Sequence, residues 1–377
     1  MSDKQYDLIV IGGGISGLGV AWKAAAKGLK VVLLEKGELC RATSDNSLRI
    51  IHGGLRYLQQ MNIKRVLESA KEQSDLLRIA PDLIKPLWCV MPLSKFGLKS
   101  KVPMWCALQL YRVLRLLAGA GYGKCGKIVS AAWVDEKLPL IKGEAPHGAF
   151  VWRDAIMPSD RKFAKFVESE VRKCGAEIFE KTEVTAIKKI GDGYEVVTTP
   201  EGGVLRGKCV VNATGAWLQR FPQDSLFKPL KWCKAFNIVI AKKVIEEYAL
   251  GVSGELGRVF FLAPREDNEF DKAGTAVGTF YYMCDGDPAE VAVSAEELEE
   301  SLRRINKTFP NLKVTKEDII KIELGILPVY GEDEKGPKLY GSEKLRVQDG
   351  YIEVLSTKYT TFRSQARHVM KGVTRFL

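Results

Sequence analysis

Three glycines and one acid carry the most specific chemistry in the chain. Gly12, Gly14 and Gly17 fit GxGxxG within Gly12-Gly13-Gly14-Ile15-Ser16-Gly17, and Glu35 follows 18 residues after Gly17. Gly12 allows a tight turn, Gly14 lets a pyrophosphate approach the backbone, and Gly17 lets a helix pack close to a strand. A helix opening at Ile15 and Ser16 turns its N-terminal amides toward that anion. Glu35 can accept hydrogen bonds from both ribose hydroxyls of an adenosine. An isolated glycine match is weak, so the elements around it decide. Residues 8–11 form a continuous apolar run of the kind a strand buried on both faces needs. Residues 15–27 read as an alanine-rich helix and 30–34 as a second strand. Strand, glycines, helix, strand and acid in one unit mark a dinucleotide site.

The segment after Glu35 separates two kinds of dinucleotide. Lys36-Gly37-Glu38-Leu39-Cys40-Arg41-Ala42-Thr43-Ser44-Asp45-Asn46-Ser47 is a loop rich in cations and hydroxyls. Hydroxyl and amide donors suit an extended diphosphate. A nicotinamide domain would run straight into another helix, so this loop favours FAD.

Composition bounds the remaining readings. The chain has 377 residues, 57 Lys+Arg and 46 Asp+Glu, a net charge of +11, with 46% hydrophobic residues. This is globular usage and predicts two or three domains. Eight cysteines without a CxxC pair and three scattered histidines (His52, His147, His368) give no zinc or disulfide pattern, so no metal is expected. A reducing, cytoplasmic setting is the expectation. The polar first residues carry no signal peptide, and no run of apolar residues is long enough to span a bilayer. No nucleic-acid motif accompanies the positive charge.

Further along, residues 160–175 read as an amphipathic helix, with Phe163, Phe166, Val167 and Val171 at helical spacing. Residues 176–179 read as a strand, 182–199 as strand, turn and strand, and 205–213 as a buried strand. That order returns a sheet beside the nucleotide.

At Ala42-Thr43-Ser44-Asp45-Asn46-Ser47-Leu48-Arg49-Ile50-Ile51-His52-Gly53-Gly54-Leu55-Arg56-Tyr57-Leu58 the chain resembles the FAD-dependent glycerol-3-phosphate dehydrogenases, whose pattern there is ATSxxSSKLIHGGLRYL. These belong to the D-amino-acid-oxidase superfamily. Val211-Asn212-Ala213-Thr214-Gly215-Ala216-Trp217 resembles the family's VNATGPW. Residues 259–264 with Gly278, Thr279 and 286–288 resemble its substrate-domain strands, and residues 355–363 resemble its GGKLTTYR segment. The resemblance implies an α/β fold: a Rossmann-like FAD domain with a parallel sheet, expected over 1–88, 147–220 and 325–377. It adds a mixed-sheet substrate domain, expected over 89–146 and 221–324. The family's C-terminal helical domain is expected to be missing, since residues after Arg363 suffice for about one helix, 364–373.

The resemblance also implies a site. FAD, held non-covalently, would contact Gly12, Gly14, Ile15, Ser16, Gly17, Glu35, Lys36, Arg41, Thr43, Ser44, Ile51, His52, Gly53, Gly54, Val184, Ala213, Thr214, Gly215, Trp217, Lys358, Thr360 and Thr361. His52, Arg56, Tyr57 and Lys358 would be catalytic: an alcohol carbon loses hydride to flavin N5 while a base takes the hydroxyl proton. Lys358 would steady the anionic reduced ring. Electrons would pass to a quinone or another acceptor. Two alternatives stay open, an oxidase or dehydrogenase cutting CH–NH, and a flavin-bearing electron-transfer subunit.

Departures from the family are as informative. Its GVRPL-like segment holds a substrate phosphate by arginine, and the aligned residue is Leu327. A second family arginine, about fifteen residues on, meets no cation before Lys344. A family histidine corresponds to Asn237. A phosphate set against leucine would be desolvated and unpaired. The expectation is therefore a small hydroxy substrate other than plain glycerol 3-phosphate, or one gripped by Arg49, Arg56 or Arg265.

Residues 95–127 hold seven Lys+Arg and no acid among apolar residues that include Trp105, Leu108, Tyr111 and Leu116. Two readings fit: a helix packed on the substrate domain with solvated lysines, or an interfacial helix docking on the inner face of a membrane.

Overall fold

A computed structural model describes residues 4–121, 125–199, 203–221, 227, 230–254, 259–269 and 271–377. Lys124, part of the basic stretch, lies outside the described residues. The described strands form two sheets.

In the first sheet Glu177–Phe179, Val31–Leu34, Gln5–Ile11, Val204–Asn212 and Tyr351–Leu355 run parallel in that order. Lys344–Gln348 closes one edge antiparallel. Val184–Ile190 and Gly193–Thr198 make an antiparallel hairpin that pairs with the start of Val204–Asn212. Both faces of the central strands are covered. Leu8, Val10, Val31 and Leu33 meet the helices Ile15–Ala25, Asp160–Lys173 and Phe362–Val373. Ile9, Ile11, Val32 and Leu34 meet Val184, Tyr194 and Val196 of the hairpin side. This double coverage is why residues 8–11 and 31–34 are apolar at every position rather than alternating.

The second sheet runs Gly336–Leu339, Ile319–Asp333, Lys231–Ile240, Gly274–Cys284, Val259–Arg265, Tyr248–Ser253, Lys85–Pro92, Ala149–Ile156 and Ile50–Ile51, with Gly126–Val129 also on Ala149–Ile156. Its pairings are antiparallel except between Tyr248–Ser253 and Lys85–Pro92. One face packs Phe236, Ile238 and Phe280 under Leu302 and Ile305 of the helix Ala295–Thr308. Period-two alternation sends Ala235, Asn237, Thr279 and Tyr281 to the opposite face, toward the first sheet. The divisions expected at 88 and 325 fall inside hydrogen-bonded strands of this sheet. Residues 50–51, 85–88, 149–156 and 325–339 thus belong to its ladder, because strand pairing and not chain order decides the sheet.

A buried charge network joins the two layers. Arg49, fully buried, donates to Asp271 at 2.9 Å, to Glu323 at 3.2 Å and to the Pro158 carbonyl at 2.8 Å. Asp160, at the start of a helix on the first sheet, lies 3.1 Å from the same guanidinium. Arg265 binds Glu323 at 2.8 Å and Lys321 binds Asp271 at 2.9 Å. Burial lifts the Asp160 carboxyl to about 7, outweighing the pull of Arg49. Arg49 and Arg265 are therefore committed to carboxylates of the fold, which corrects their reading as grips for a substrate phosphate.

Removing one member of a buried ion set strands the others. Arg49→Met is expected to destabilise the protein by about 3–5 kcal/mol in urea unfolding. A loss below about 1 kcal/mol, the range of an exposed pair, would show that the network carries little.

Candidate functional site

A cleft runs between the sheets, bounded at one end by the glycine turn and at the other by Trp232, Asn237, Thr279, Tyr281 and residues 325–328. At the first end Gly12 has φ +100°, and a Cβ there would meet the Ala213 carbonyl oxygen at 2.7 Å. A Cβ on Gly17 would overlap the Gly12 carbonyl oxygen. Gly14 precedes the helix Ile15–Ala25, which has no side-chain cap, so its N-terminus faces the cleft ready for an anion. Glu35 is held by two amides, Gly13 N donating at 2.7 Å and Gly37 N at 2.8 Å. Each of its oxygens keeps a lone pair for a further donor. Ser44 Oγ accepts from Ile15 N at 3.1 Å, tying the hydroxyl-rich loop to the glycine turn. Thr43 Oγ1 donates to the Ile326 carbonyl at 3.2 Å and accepts from Ile326 N at 3.0 Å. The loop is thereby pinned to the second sheet as well.

Polar atoms on the cleft wall await a partner. Trp217 Nε1, Thr357 Oγ1 and Tyr359 Oη are buried on cleft-lining residues without a hydrogen bond. Left unmet, such atoms cost free energy, so a ligand rich in polar groups along this cleft fits them. Lys36 Nζ stands 3.7 Å from the Trp217 ring centre, bridging the second strand and the 211–217 turn. Burial and the nearby Arg220 pull its pKa down.

Of the residues expected to touch a cofactor, the cleft gathers Gly12, Gly14, Ile15, Ser16, Glu35, Lys36, Arg41, Thr43, Ser44, Val184, Ala213, Thr214, Gly215, Trp217 and Lys358. Gly17 is set behind the turn. Thr360 and Thr361 are buried at the start of Phe362–Val373 and do not line the cleft. Ile51, His52, Gly53 and Gly54 also lie off its wall. Ile51 is buried in the second sheet, and Gly53 N donates to Asp154 at 2.8 Å. His52 Nδ1 lies 2.9 Å from Asp154, with its ring 5.8 Å from Phe261. Phe261 pairs with Gly278, the neighbour of cleft-lining Thr279. Arg56 is exposed, whereas Tyr57 packs its ring 4.1 Å from Lys358 Nζ. Lys358 thus lines the cleft with Tyr57 packed against it and the charge of Arg56 acting on it, while Arg56 and Tyr57, like His52, lie off the wall itself.

Four cations line the cleft among the described residues: Lys36, Arg41, Arg220 and Lys358. Arg41 pairs with Glu38 and Asp45, and Arg220 with Glu183 at 2.7 Å. Lys358 has no carboxylate partner among the described residues, and burial with repulsion from Arg56 draws its pKa down to about 8. The second sheet contributes no cation to the wall, and Ile326, Leu327 and Pro328 present an apolar surface there.

The motifs that contain Leu48, Thr279, Thr357 and Tyr359 gave these residues no site role, and Glu183, Trp232 and Tyr281 on the cleft wall and Asp154 beneath His52 carried no motif. Only strand pairing brings residues so far apart in the chain to one surface. A second cluster was also missed: ligand atoms of Glu68, Glu343 and His368 lie within 4.8 Å of one another, away from the cleft.

A glycine turn, a helix N-terminus, an acid and an unsatisfied polar wall in this arrangement fit a bound dinucleotide such as FAD. Residues 7–346 match the model of the FAD dependent oxidoreductase family, and the chain belongs to that family. It is 30% identical over 390 residues to an aerobic glycerol-3-phosphate dehydrogenase of Staphylococcus aureus (strain USA300), covering 100% of this chain and 68% of that one. Its fold is similar to a glycerol-3-phosphate dehydrogenase structure from Bacillus halodurans complexed with FAD, with TM-score 0.76 and 23% identity over 100% of this chain and 65% of that chain. It is also similar to glycine oxidase from Geobacillus kaustophilus, with TM-score 0.71 and 16% identity over 98% and 95%. The chain spans about two thirds of the length of the curated relatives it matches.

Gly17→Ala is expected to abolish FAD retention, because the helix must move off the Gly12 carbonyl and carry its N-terminus away. Flavin absorbance per purified polypeptide measures this. Full occupancy in the variant would sink the close-packing role given to Gly17.

Proposed function

We propose that this FAD-dependent dehydrogenase oxidises a small hydroxy compound bearing an anionic group, and that Lys358 with Arg56 holds that group. The observation that carries the reading is the cation pair itself. Lys358 is half-buried at the cleft and feels the charge of the exposed Arg56, and neither has a carboxylate partner among the described residues. Two like charges kept together with no counter-charge are destabilising unless an anion joins them. The family position for a phosphate-gripping arginine, Leu327, offers no charge from the opposite wall. FAD, when bound, supplies the two-electron acceptor. Lys358 and Arg56 orient the substrate, Tyr57 backs Lys358, and His52 takes the hydroxyl proton.

The amine-cutting alternative shares the same fold. Anaerobic flavin bleaching against glycerol 3-phosphate, glycerol and an amino analogue separates them. The reading predicts bleaching by the phosphorylated alcohol, with KM raised at least tenfold in Lys358→Met. Bleaching by the amino compound alone, with release of ammonia, would overturn it. The pH dependence follows from the same lysine. Its folded pKa is depressed from 10.5 to about 8, so above pH 8 Lys358 is neutral while Arg56 stays charged, and an anion that needs the charged lysine must bring a proton with it. Affinity for the anion is expected to be flat below about pH 8 and to fall as pH rises toward 10. A flat profile across that window would contradict the assignment.

We also propose that the helix Lys101–Leu117 docks on anionic lipid. Met104, Leu108, Tyr111 and Leu114 face the core, while Phe96, Leu98, Val102, Trp105, Leu116 and Leu117 are each at least 55% exposed. Lys95, Lys99 and Lys101 flank them with no acid in the stretch. Apolar bulk, a tryptophan and cations on one surface suit a lipid interface, where a membrane-dissolved quinone would serve as electron acceptor. No helix among the described residues is long and apolar enough to cross a membrane. Co-sedimentation with phosphatidylserine vesicles is expected, weakened at least tenfold by the triple variant Phe96→Asp, Leu98→Asp, Leu117→Asp. Wild type remaining in the supernatant would remove the proposal.

A further inference from the structure

His52 rests on an anchor that no sequence motif marked. Asp154 is 2% exposed, towards the C-terminal end of the strand Ala149–Ile156, and its carboxylate is met by four nitrogen donors. Oδ1 accepts from Gly53 N at 2.8 Å and from Gln73 Nε2 at 3.1 Å. Oδ2 accepts from Trp152 Nε1 at 3.0 Å and lies 2.9 Å from His52 Nδ1. Burial pushes this carboxyl up, but the hydrogen bonds from His52, Gly53 and Trp152 outweigh it and hold its pKa below the usual value. It is therefore an ionised acceptor.

The carboxylate is also fixed in rotation. Gln73 Nε2 donates a second bond to the Ile51 carbonyl at 2.8 Å, and Gln73 Oε1 accepts from Arg115 Nη1 at 2.8 Å. The other titratable groups facing the carboxylate are Cys89, whose Sγ is 4.0 Å away, and Tyr111, whose hydroxyl lies 3.3 Å from Arg115. Burial raises both pKa values, so both stay neutral. Asp154 is thus the one carboxylate on His52 among the described residues. An acceptor-only partner at Nδ1 forces the neutral ring to carry its proton there and leaves Nε2 bare.

We infer that Asp154 is a positioning residue that fixes the tautomer and orientation of His52, with Gln73 locking the carboxylate from behind. The inference rests on the reading of His52 as the base that takes the substrate's hydroxyl proton. In the step, that O–H proton moves to Nε2 and forms an imidazolium, whose Nδ1–H remains on the Asp154 carboxylate. FAD, when bound, would supply the acceptor for the hydride of the C–H bond, and the alcohol becomes a carbonyl.

The test uses the FAD-loaded enzyme and the variant Asp154→Asn. The rate of anaerobic flavin reduction at saturating substrate is expected to fall about 10- to 100-fold, the scale of a misplaced reacting group, with KM little changed. A purely structural role predicts lost FAD or a raised KM with an unchanged reduction rate at saturating substrate, and that result overturns the proposal. Nitrogen-15 NMR of the His52 ring in resting holoenzyme gives a readout free of turnover and of the variant's folding. The wild type should hold its proton on Nδ1, and a proton found on Nε2 would overturn the proposal. His52→Ala separates the two levels: an unchanged reduction rate there removes His52 as base, while the NMR result still reports whether Asp154 orients the ring.

Discussion

The cleft exists because two sheets are held face to face by a buried set of charges centred on Arg49. One guanidinium reaches Asp160 at the start of a helix on the first sheet, Glu323 in a strand of the second, and Asp271 in the connection that precedes its strand Gly274–Cys284. Glu323 lies in the same strand as Ile326 and Leu327, so the network and the cleft wall share one backbone. The Thr43–Ile326 pair of hydrogen bonds then sets the hydroxyl-rich loop against that wall. Displacing the charge set would move the loop and the wall together. A buried ion set is weak evidence for stability but a strong geometric constraint, since few arrangements satisfy every charge. Here that constraint sets the width of the space a cofactor and substrate must share.

Much of the first sheet was legible in the residues because its parts are local. The glycine turn, its helix, the returning strand and Glu35 lie within one short stretch, and each residue type answers a backbone need. The helix Asp160–Lys173 and the hairpin Val184–Thr198, residues 184–198, were readable from periodicity for the same reason. The second sheet was not. Lys85–Pro92 and Tyr248–Ser253 pair in parallel across a long sequence separation, and nothing local in either strand specifies that partner. The same limit applies to the site. Lys358 and Tyr57 could each be named from a motif, but their contact joins opposite ends of the chain. Asp154 sits in an unremarkable apolar run, and only the fold brings His52, Gly53 and Gln73 around it.

The departures from the family pattern gain a physical meaning in three dimensions. Leucine at 327 continues an apolar surface with Ile326 and Pro328, so an anion meets no cation on that side among the described residues. Arg49 and Arg265, the candidates to replace the missing arginine, are neutralised within the fold. What remains is Lys358 on the opposite side of the cleft, with Arg56 acting on it and neither holding a carboxylate partner among the described residues. The net charge of +11 therefore divides into cations that hold the protein together, cations that border exposed apolar residues 96–117, and a small set left free to meet a ligand.

The relocated anion site is the central claim, and a spectral titration reaches it without turnover. Inorganic phosphate added to the FAD-loaded protein should perturb the flavin absorbance saturably, and Lys358→Met should weaken its Kd at least tenfold. Equal phosphate affinity in wild type and Lys358→Met would contradict the account.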